Sequence, residues 1–244
     1  MRTGAAEPRA VQVPLGTFDA YQAPTGRRLD GGIGYLELPG LAGGKQGASY
    51  DDALHELLGQ IDDGTLRGCI IDLRRNTGGS FGPMLAGIGP LVGAGQVGAF
   101  ASAAGSADWS YDAETGAATS SSYELAKVEK PHALRADLPV AVLTGPLTAG
   151  AGEAIVVAFA GRARTRRFGE GTRGVPTSNT QSNLADGALL LVTVTVHADR
   201  NGTRYDDVIP PDEKVASDWT RFAAADDPVL AAACRWLATA AAAK

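Results

Sequence analysis

Residues 138–153, LPVAVLTGPLTAGAGE, set the reading of the whole chain. Val140–Leu143 is a short unbroken apolar run, as in a strand buried on both faces. The Thr-Gly-Pro after it is turn chemistry. A helix is predicted to begin near Ala149 and to continue through EAIVVAFAG. Strand, tight glycine turn and helix N-terminus together direct backbone N–H groups at one point, which suits a reacting oxygen or a bound anion. In enzymes a turn of this build carries the nucleophile. Here it offers Thr148, Ala149, Gly150 and Ala151, and of these only Thr148 has a hydroxyl.

Working outward, GGIGYLELPG (31–40) is a glycine-bounded strand in which Ile33, Tyr35 and Glu37 alternate with Gly34, Leu36 and Leu38. Tyr50–Ile61 repeats Ala53, Leu54, Leu57, Leu58 and Ile61 at the helical period. RGCIIDLRR (67–75) is a nearly continuous apolar strand of the parallel-sheet kind, and NTGG turns into a second helix over Phe81–Val92. Strand, helix, strand, helix is the order of a crossover-connected α/β layer. Residues 97–134 change to short alternating pieces (VGAFAS, DWSYD, ATSSSYEL), read as antiparallel strands or a flap inserted in the domain. Beyond residue 153 come a strand RTRRFGE, a glycine loop GTRGVPT, and LADGALLLVTVTVHAD (184–199). This last is the longest β-branched run, a central or hairpin strand behind an Asp-Gly turn signal. NGTRYDDVIPPDE is a loop. Asp227-Pro228 opens a final amphipathic helix with Val229, Leu230, Ala233, Trp236 and Leu237 on one face. The domain organisation is therefore an N-terminal arm or short strand over 1–30, an α/β core over 31–226 and a C-terminal helix over 227–244 packed on that core.

With 244 residues the chain can bury a substantial core. Its net charge of −5, with Arg162–Arg167 as the only basic run, argues against nucleic acid as a partner. That run, RARTRR, alternates like the solvated face of a strand. No apolar run reaches the roughly 18 residues of a membrane span, and MRTGAAEPRAVQVPLG lacks the apolar centre of a signal peptide. The expectation is a cytoplasmic protein without membrane contact, with Cys69 and Cys234 as small buried hydrophobes. No Cys/His cluster has metal-ligand spacing and no phosphate-binding glycine motif opens a helix, so neither metal nor cofactor is expected. A homo-oligomer is compatible with all of this.

Several motifs in fixed order resemble one family, the C-terminal processing (tail-specific) serine peptidases, whose relatives include the tricorn protease core and the retinoid-binding repeats. IDLRRNTGG is similar to that family's strand and loop "DLR-N-x-GG". TAGAGE, followed by the GE of FGEGTRG, resembles its nucleophile turn and later "GE-x-T-x-G" loop. GGIGYLELP resembles its opening strand, and LADGALLLVTVTVHADRNGTRYDDVIPPDE its closing segment. The resemblance spans about residues 31–215. It implies a crotonase/ClpP-like α/β core, a mixed sheet with crossover helices, acting on a peptide or small acyl substrate. No PDZ module is visible between the strands.

Transferred residue by residue, the resemblance puts the catalytic serine at Gly150, three residues before Glu153. The general-base lysine falls on Val175, five residues after Glu170. A tricorn-like core uses a histidine ahead of the first strand, and Gly26–Gly31 holds none. The oxyanion donors would be the backbone N–H groups of Gly79 and Ala151, with Gly78 beside them allowing close approach of a substrate carbonyl. Three readings of position 150 follow: an inactivated variant of a serine hydrolase, a natural non-hydrolytic member using the oxyanion pocket alone, or attack by another hydroxyl, Thr148 or Ser80. Polarising a carbonyl at two N–H groups can also promote cyclisation without a covalent intermediate.

His197, at the end of the longest strand, is the histidine placed to reach such a site, either as an acid or base or as a strand-end structural residue. His55 in its acidic helix and His132 after Pro131 read as structural. Arg173, Thr177, Ser178 and Asn179 belong to the loop that resembles the lysine-bearing segment, and read either as substrate contacts or as an ordinary polar loop. Glu153 fits the first turn of its helix as a structural carboxylate, Asp72 and Arg74 as pins of the strand end, and Asn76 as a turn former. Asp199, Arg200 and Tyr205 are candidates for a far wall.

Overall fold

The computed structural model describes residues 21–41 and 47–241. The VQVPLGTF stretch lies outside them; the described part of the N-terminal segment, expected as an arm or a short strand, contains the strand Thr25–Leu29 (β1). β1 pairs antiparallel with β2 (Ile33–Glu37). Then follow α1 (Gly47–Ile61), β3 (Gly68–Asp72) and α2 (Phe81–Val92). Four antiparallel strands occupy the region of short alternating pieces: β4 (Gly95–Ala101), β5 (Ser106–Asp112), β6 (Ala117–Ser120) and β7 (Tyr123–Lys127). The opening stretch supplies β8 (Val140–Thr144) and α3 (Ala151–Phe159), and β9 (Thr165–Gly169) comes next. β10 (Thr177–Asn183) and β11 (Leu189–Asp199) make a hairpin, followed by the short β12 (Arg204–Tyr205) and β13 (Glu213–Lys214) and by α4 (Pro228–Ala240).

These elements form two sheets, so the fold is α/β with both sheet types. The first has the order β1-β2-β3-β8-β9-β13 and is parallel from β2 onward. The second, β10-β11-β4-β5-β6-β7, is antiparallel throughout. Period-two alternation explains why β3 and β8 read as unbroken apolar runs. Ile71, Val140 and Val142 face a core shared with α1, α2, α3 and Trp109 of the second sheet. Ile70, Ala141 and Leu143 face α4 on the other side. β2 is buried along its whole length for the same reason, Glu37 included.

α4 starts where the sequence predicts, because the Asp227 carboxylate accepts the N–H groups of Val229 and Leu230 as an N-cap. Its Val229, Leu230, Ala233 and Leu237 are buried, and Trp236 packs half-buried on Phe168. Cys69 is fully buried but Cys234 only partly so. The long β-branched run behaves differently from a core strand. Only its last residues, Val196–Asp199, pair with β4, while Leu189–Val194 pair with β10 alone and are exposed on both faces. Among the described residues no helix is long and apolar enough to cross a membrane.

Candidate active site

β3 and β8 are adjacent and parallel, so the loops leaving their C-terminal ends emerge side by side. Hydrogen bonds stitch the two loops together. The Ala149 N–H donates to Asn76 O at 2.9 Å, and Thr148 Oγ1 donates to Leu73 O at 2.8 Å. Asn76 is fully buried; its Oδ1 accepts the Gly78 N–H and its Nδ2 donates to Leu38 O. The glycine pair is also zipped to Leu41, whose N–H donates to Gly78 O and whose carbonyl accepts the Ser80 N–H. At Gly79 this leaves no space for a side chain. A Cβ there would lie 1.8 Å from Leu41 O, at a φ of +114°.

The second loop delivers Gly150 at φ 52°, ψ −112°, immediately before α3. That backbone is strained for any residue with a side chain, about 1–3 kcal/mol, and strain of this order is characteristic of nucleophile turns. Space is not the obstacle, because the nearest atom to a Cβ on Gly150 is the Gly78 Cα, 3.9 Å away. The Gly150 N–H donates to the Glu153 carboxylate at 2.9 Å, one half of a capping box whose other half needs a hydroxyl at 150. The same carboxylate accepts Thr172 Oγ1 at 2.6 Å, the Gly174 N–H at 2.8 Å and the Val175 N–H at 3.0 Å. Glu153 is fully buried, and thus fastens the loop after β9 to the turn.

Thr77, Gly78, Gly79, Ala149, Gly150 and Ala151 line a cleft of about 410 Å³, completed by Phe81, Phe100, Val175, Thr177, Asn179 and His197. The backbones are close: a Cβ on Gly78 would lie 3.6 Å from the Ala151 nitrogen. Among the described residues neither the Gly79 N–H nor the Ala151 N–H donates to a protein acceptor. His197 is 1% exposed, and among the described residues its Nδ1 has no hydrogen-bond partner. Its ring packs edge-on to Trp109 at 5.3 Å and against Phe100 at 5.8 Å. Burial lowers the imidazole to about 4, so the ring is neutral at neutral pH and a weaker base than a free histidine.

Most of the residues singled out in the sequence therefore meet in one place: Gly78, Gly79, Gly150, Ala151, Val175, Thr177, Asn179 and His197. Others do not. Thr148 is fully buried, with its hydroxyl engaged by Leu73 O and the Gly145 N–H, so it neither lines the cleft nor is free to attack. Ser80 lines a neighbouring cavity instead. Arg173 is exposed and contributes its backbone N–H to Thr148 O, and its side chain is not on the cleft wall. Asp199, Arg200 and Tyr205 are absent from that wall too: Asp199 holds the turn at residues 201–203 and Tyr205, while Arg200 donates to Ala158 O at the end of α3. His55 is buried between Ala86 O and the His132 N–H, and His132 also reaches Asp62.

The aromatic wall of Phe81 and Phe100 is not signalled in the sequence, because His197 and Phe100 meet only through the non-local pairing of β11 with β4. Behind the cleft, Asp72, Arg74 and Asp227 form a buried ion network with Arg74 to Asp72 at 2.6 Å and Arg74 to Asp227 at 2.7 Å. Burial alone would lower Arg74, but the two carboxylates raise it above its ordinary value. Burial likewise opposes the Asp227 charge, and Arg74 holds that carboxyl below its usual range. Among the described residues no group of three or more His, Cys, Asp or Glu is placed to hold a metal ion.

The family model for Peptidase family S41 matches residues 32–215, and the chain belongs to that family. It is similar to the nisin-resistance protein of Lactococcus lactis subsp. lactis, 25% identical over 181 residues, which cover 72% of this chain and 54% of that protein. The chain thus spans about half the length of this curated relative. Its fold is similar to that of a lipoprotein from Streptococcus agalactiae, with a TM-score of 0.66 and 22% identity over 90% of this chain and 70% of the other. The photosystem II D1 C-terminal processing protease is a further structural neighbour, with a TM-score of 0.56 and 22% identity over 80% of this chain and 48% of the other.

Proposed function

We propose that the chain uses the S41 peptidase scaffold to bind a peptide or small acyl substrate by its carbonyl oxygen, between the N–H groups of Gly79 and Ala151. The observation that supports this reading is that Gly79 and Ala151, whose N–H groups have no protein acceptors among the described residues, both line the cleft that also contains Gly150. A donor aimed at a developing oxyanion is worth roughly 3 kcal/mol, and a water-poor cleft strengthens it. Membership of a peptidase family supports a peptide as the ligand.

As the sequence stands, the site polarises the carbonyl and forms no acyl-enzyme. Gly150 has no hydroxyl, Val175 occupies the position of the family's lysine, and His197 is held neutral by burial. Two branches remain within this reading: a serine hydrolase scaffold with its nucleophile replaced, or a member whose task is binding or non-hydrolytic catalysis. The space around a Cβ at 150 and the half-built capping box with Glu153 favour the first, and Val175 favours the second. Gly150→Ser decides between them when both forms are incubated with a fluorophosphonate probe and with casein. Labelling and turnover confined to the serine form assign a hydrolase scaffold. Peptide binding by both forms with no labelling assigns the binding module. Failure of both forms to bind any peptide removes the proposal.

A further inference from the structure

Phe81 and Phe100 have a second side. Besides walling the cleft, they border a neighbouring cavity of about 600 Å³, roofed by β7 and floored by the start of α1. Its charged lining is Asp51, Asp52, Glu129 and Lys127, with Leu125 and Ser80 between them. Asp52 is engaged, its Oδ1 accepting the Glu129 N–H at 2.9 Å. Asp51 has no such side-chain role: the residue is 2% exposed, and among the described residues its Oδ1 has no hydrogen-bond partner. Burial pushes the Asp51 carboxyl up to about 6, against the lowering by the backbone N–H groups of Asp51 and Asp52, and no cation among the described residues offsets it. A buried unpaired acceptor is costly and calls for a donor, whether water, ion or ligand.

We propose that this cavity is a subsite for a cationic group, the side chain of a substrate lysine or arginine, with Asp51 as the residue that selects it. The inference rests on the reading of the adjacent cleft as the carbonyl site. A peptide held at Gly79 and Ala151 has the subsite directly across the Phe81–Phe100 wall. The cavity is large enough for a long aliphatic stem, which Leu125 and the two phenylalanine rings would cover while the head group meets Asp51. Asp52 and Glu129 add negative potential at the rim, partly offset by Lys127.

Two probes separate the subsite from the carbonyl site. The first is n-butylguanidinium against n-butylurea, its neutral counterpart; the urea carbonyl can also enter the cleft, so binding is read only from the shifts at the subsite residues. The second is a blocked pentapeptide, Ac-Ala-Ala-Xaa-Ala-Ala-NH2, and its frame-shifted versions, with Xaa lysine or norleucine. Titrations followed by amide NMR shifts should show butylguanidinium binding at least tenfold tighter than butylurea, with the shifts centred on Asp51 and Ala126. One lysine peptide should bind at least tenfold tighter than its norleucine twin. Asp51→Asn should bring both ratios to within twofold. Equal binding of the charged and neutral probes to the unmodified chain overturns the proposal without any variant. Norleucine peptides that bind in that case leave the carbonyl site standing. Selective butylguanidinium binding with no peptide binding overturns the carbonyl site and leaves the cationic subsite.

Discussion

The carboxylate of Asp227 lies 2.7 Å from the guanidinium of Arg74, a residue 153 positions earlier in the chain, and both side chains are fully buried. Asp227 caps α4, and Arg74 leads into the loop that carries Gly78 and Gly79. One ion pair thus ties the C-terminal helix to the cleft. Asp227→Ala leaves the Arg74 cation with Asp72 alone and removes the cap. The expected loss is about 3–5 kcal/mol, the size seen when one partner of a buried pair is deleted, read from urea unfolding. A loss below about 1 kcal/mol, within reach of the cap alone, would show that the pair is not a buried constraint.

Glu153 collects N–H donors from Gly150, Gly174 and Val175 and the hydroxyl of Thr172. Glu153→Gln keeps the size but places an NH2 group against those donors. The expected cost is about 1–3 kcal/mol. It should be accompanied by faster hydrogen exchange at Gly150, Gly174 and Val175, measured by NMR, with exchange in β3 unchanged. Unaltered protection at these three amides would remove Glu153 from its role of joining the two loops.

Gly79 and Gly93 both have positive φ, +114° and +97°, yet of the two only Gly79 has a neighbour where a Cβ would go. Gly93→Ala should therefore cost only backbone strain, about 1–2 kcal/mol. Gly79→Ala adds the clash with Leu41 O and should cost clearly more, together with loss of peptide binding in the cleft. Comparable unfolding midpoints for the two variants would contradict the close approach of Leu41 to the glycine pair.

His197 and Asp51 pull the pH dependence of stability in opposite directions. Burial lowers His197 from 6.5 to about 4, so its neutral ring contributes stability in full above 6.5 that is lost as pH falls to about 4. The amount is on the order of 3 kcal/mol. Burial raises Asp51 from 3.8 to about 6, so its contribution is present below 3.8 and lost as pH rises through 6. Removing the histidine with His197→Gln should leave the Asp51 trend exposed. The variant should gain stability, relative to the parent, on going from pH 7 to pH 5 in urea titrations. Parallel pH profiles for the two proteins would rule out a buried neutral His197.

Leu191 is 57% exposed in the half of β11 that pairs only with β10. Leu191→Thr keeps strand propensity and removes little buried area, so the change in unfolding free energy should stay within about 0.5 kcal/mol. Leu36→Ala, at a fully buried position of β2, should cost about 2–5 kcal/mol. A large loss at Leu191 would mean that the hairpin packs on something in solution.

Much of this was legible in the chain. Val140–Leu143, Phe81–Val92 and the start of the Asp227-capped helix are local patterns, and each lies within a residue or two of where the sequence places it because apolar period and cap chemistry act over neighbours. The glycine turns at 78–79 and 150 were legible for the same reason: their chemistry lies in a few consecutive residues. Thr148 and Arg173 were misplaced because a loop residue's direction depends on its hydrogen-bond partners, here Leu73 O and Thr148 O, far away in the chain.

By itself the sequence determined the alternation of strands and helices, the family and the glycine-built turns that end β3 and β8. Only the tertiary structure decided that those two turns share a cleft, that Phe81, Phe100 and His197 wall it, and that the LLLVTV run is exposed while the charged Asp72–Arg74–Asp227 cluster is buried. The physical reason is range. Periodicity and capping are set within a turn or two of the chain, whereas burial and the pairing of β11 with β4 depend on which distant surfaces the packed sheets bring together.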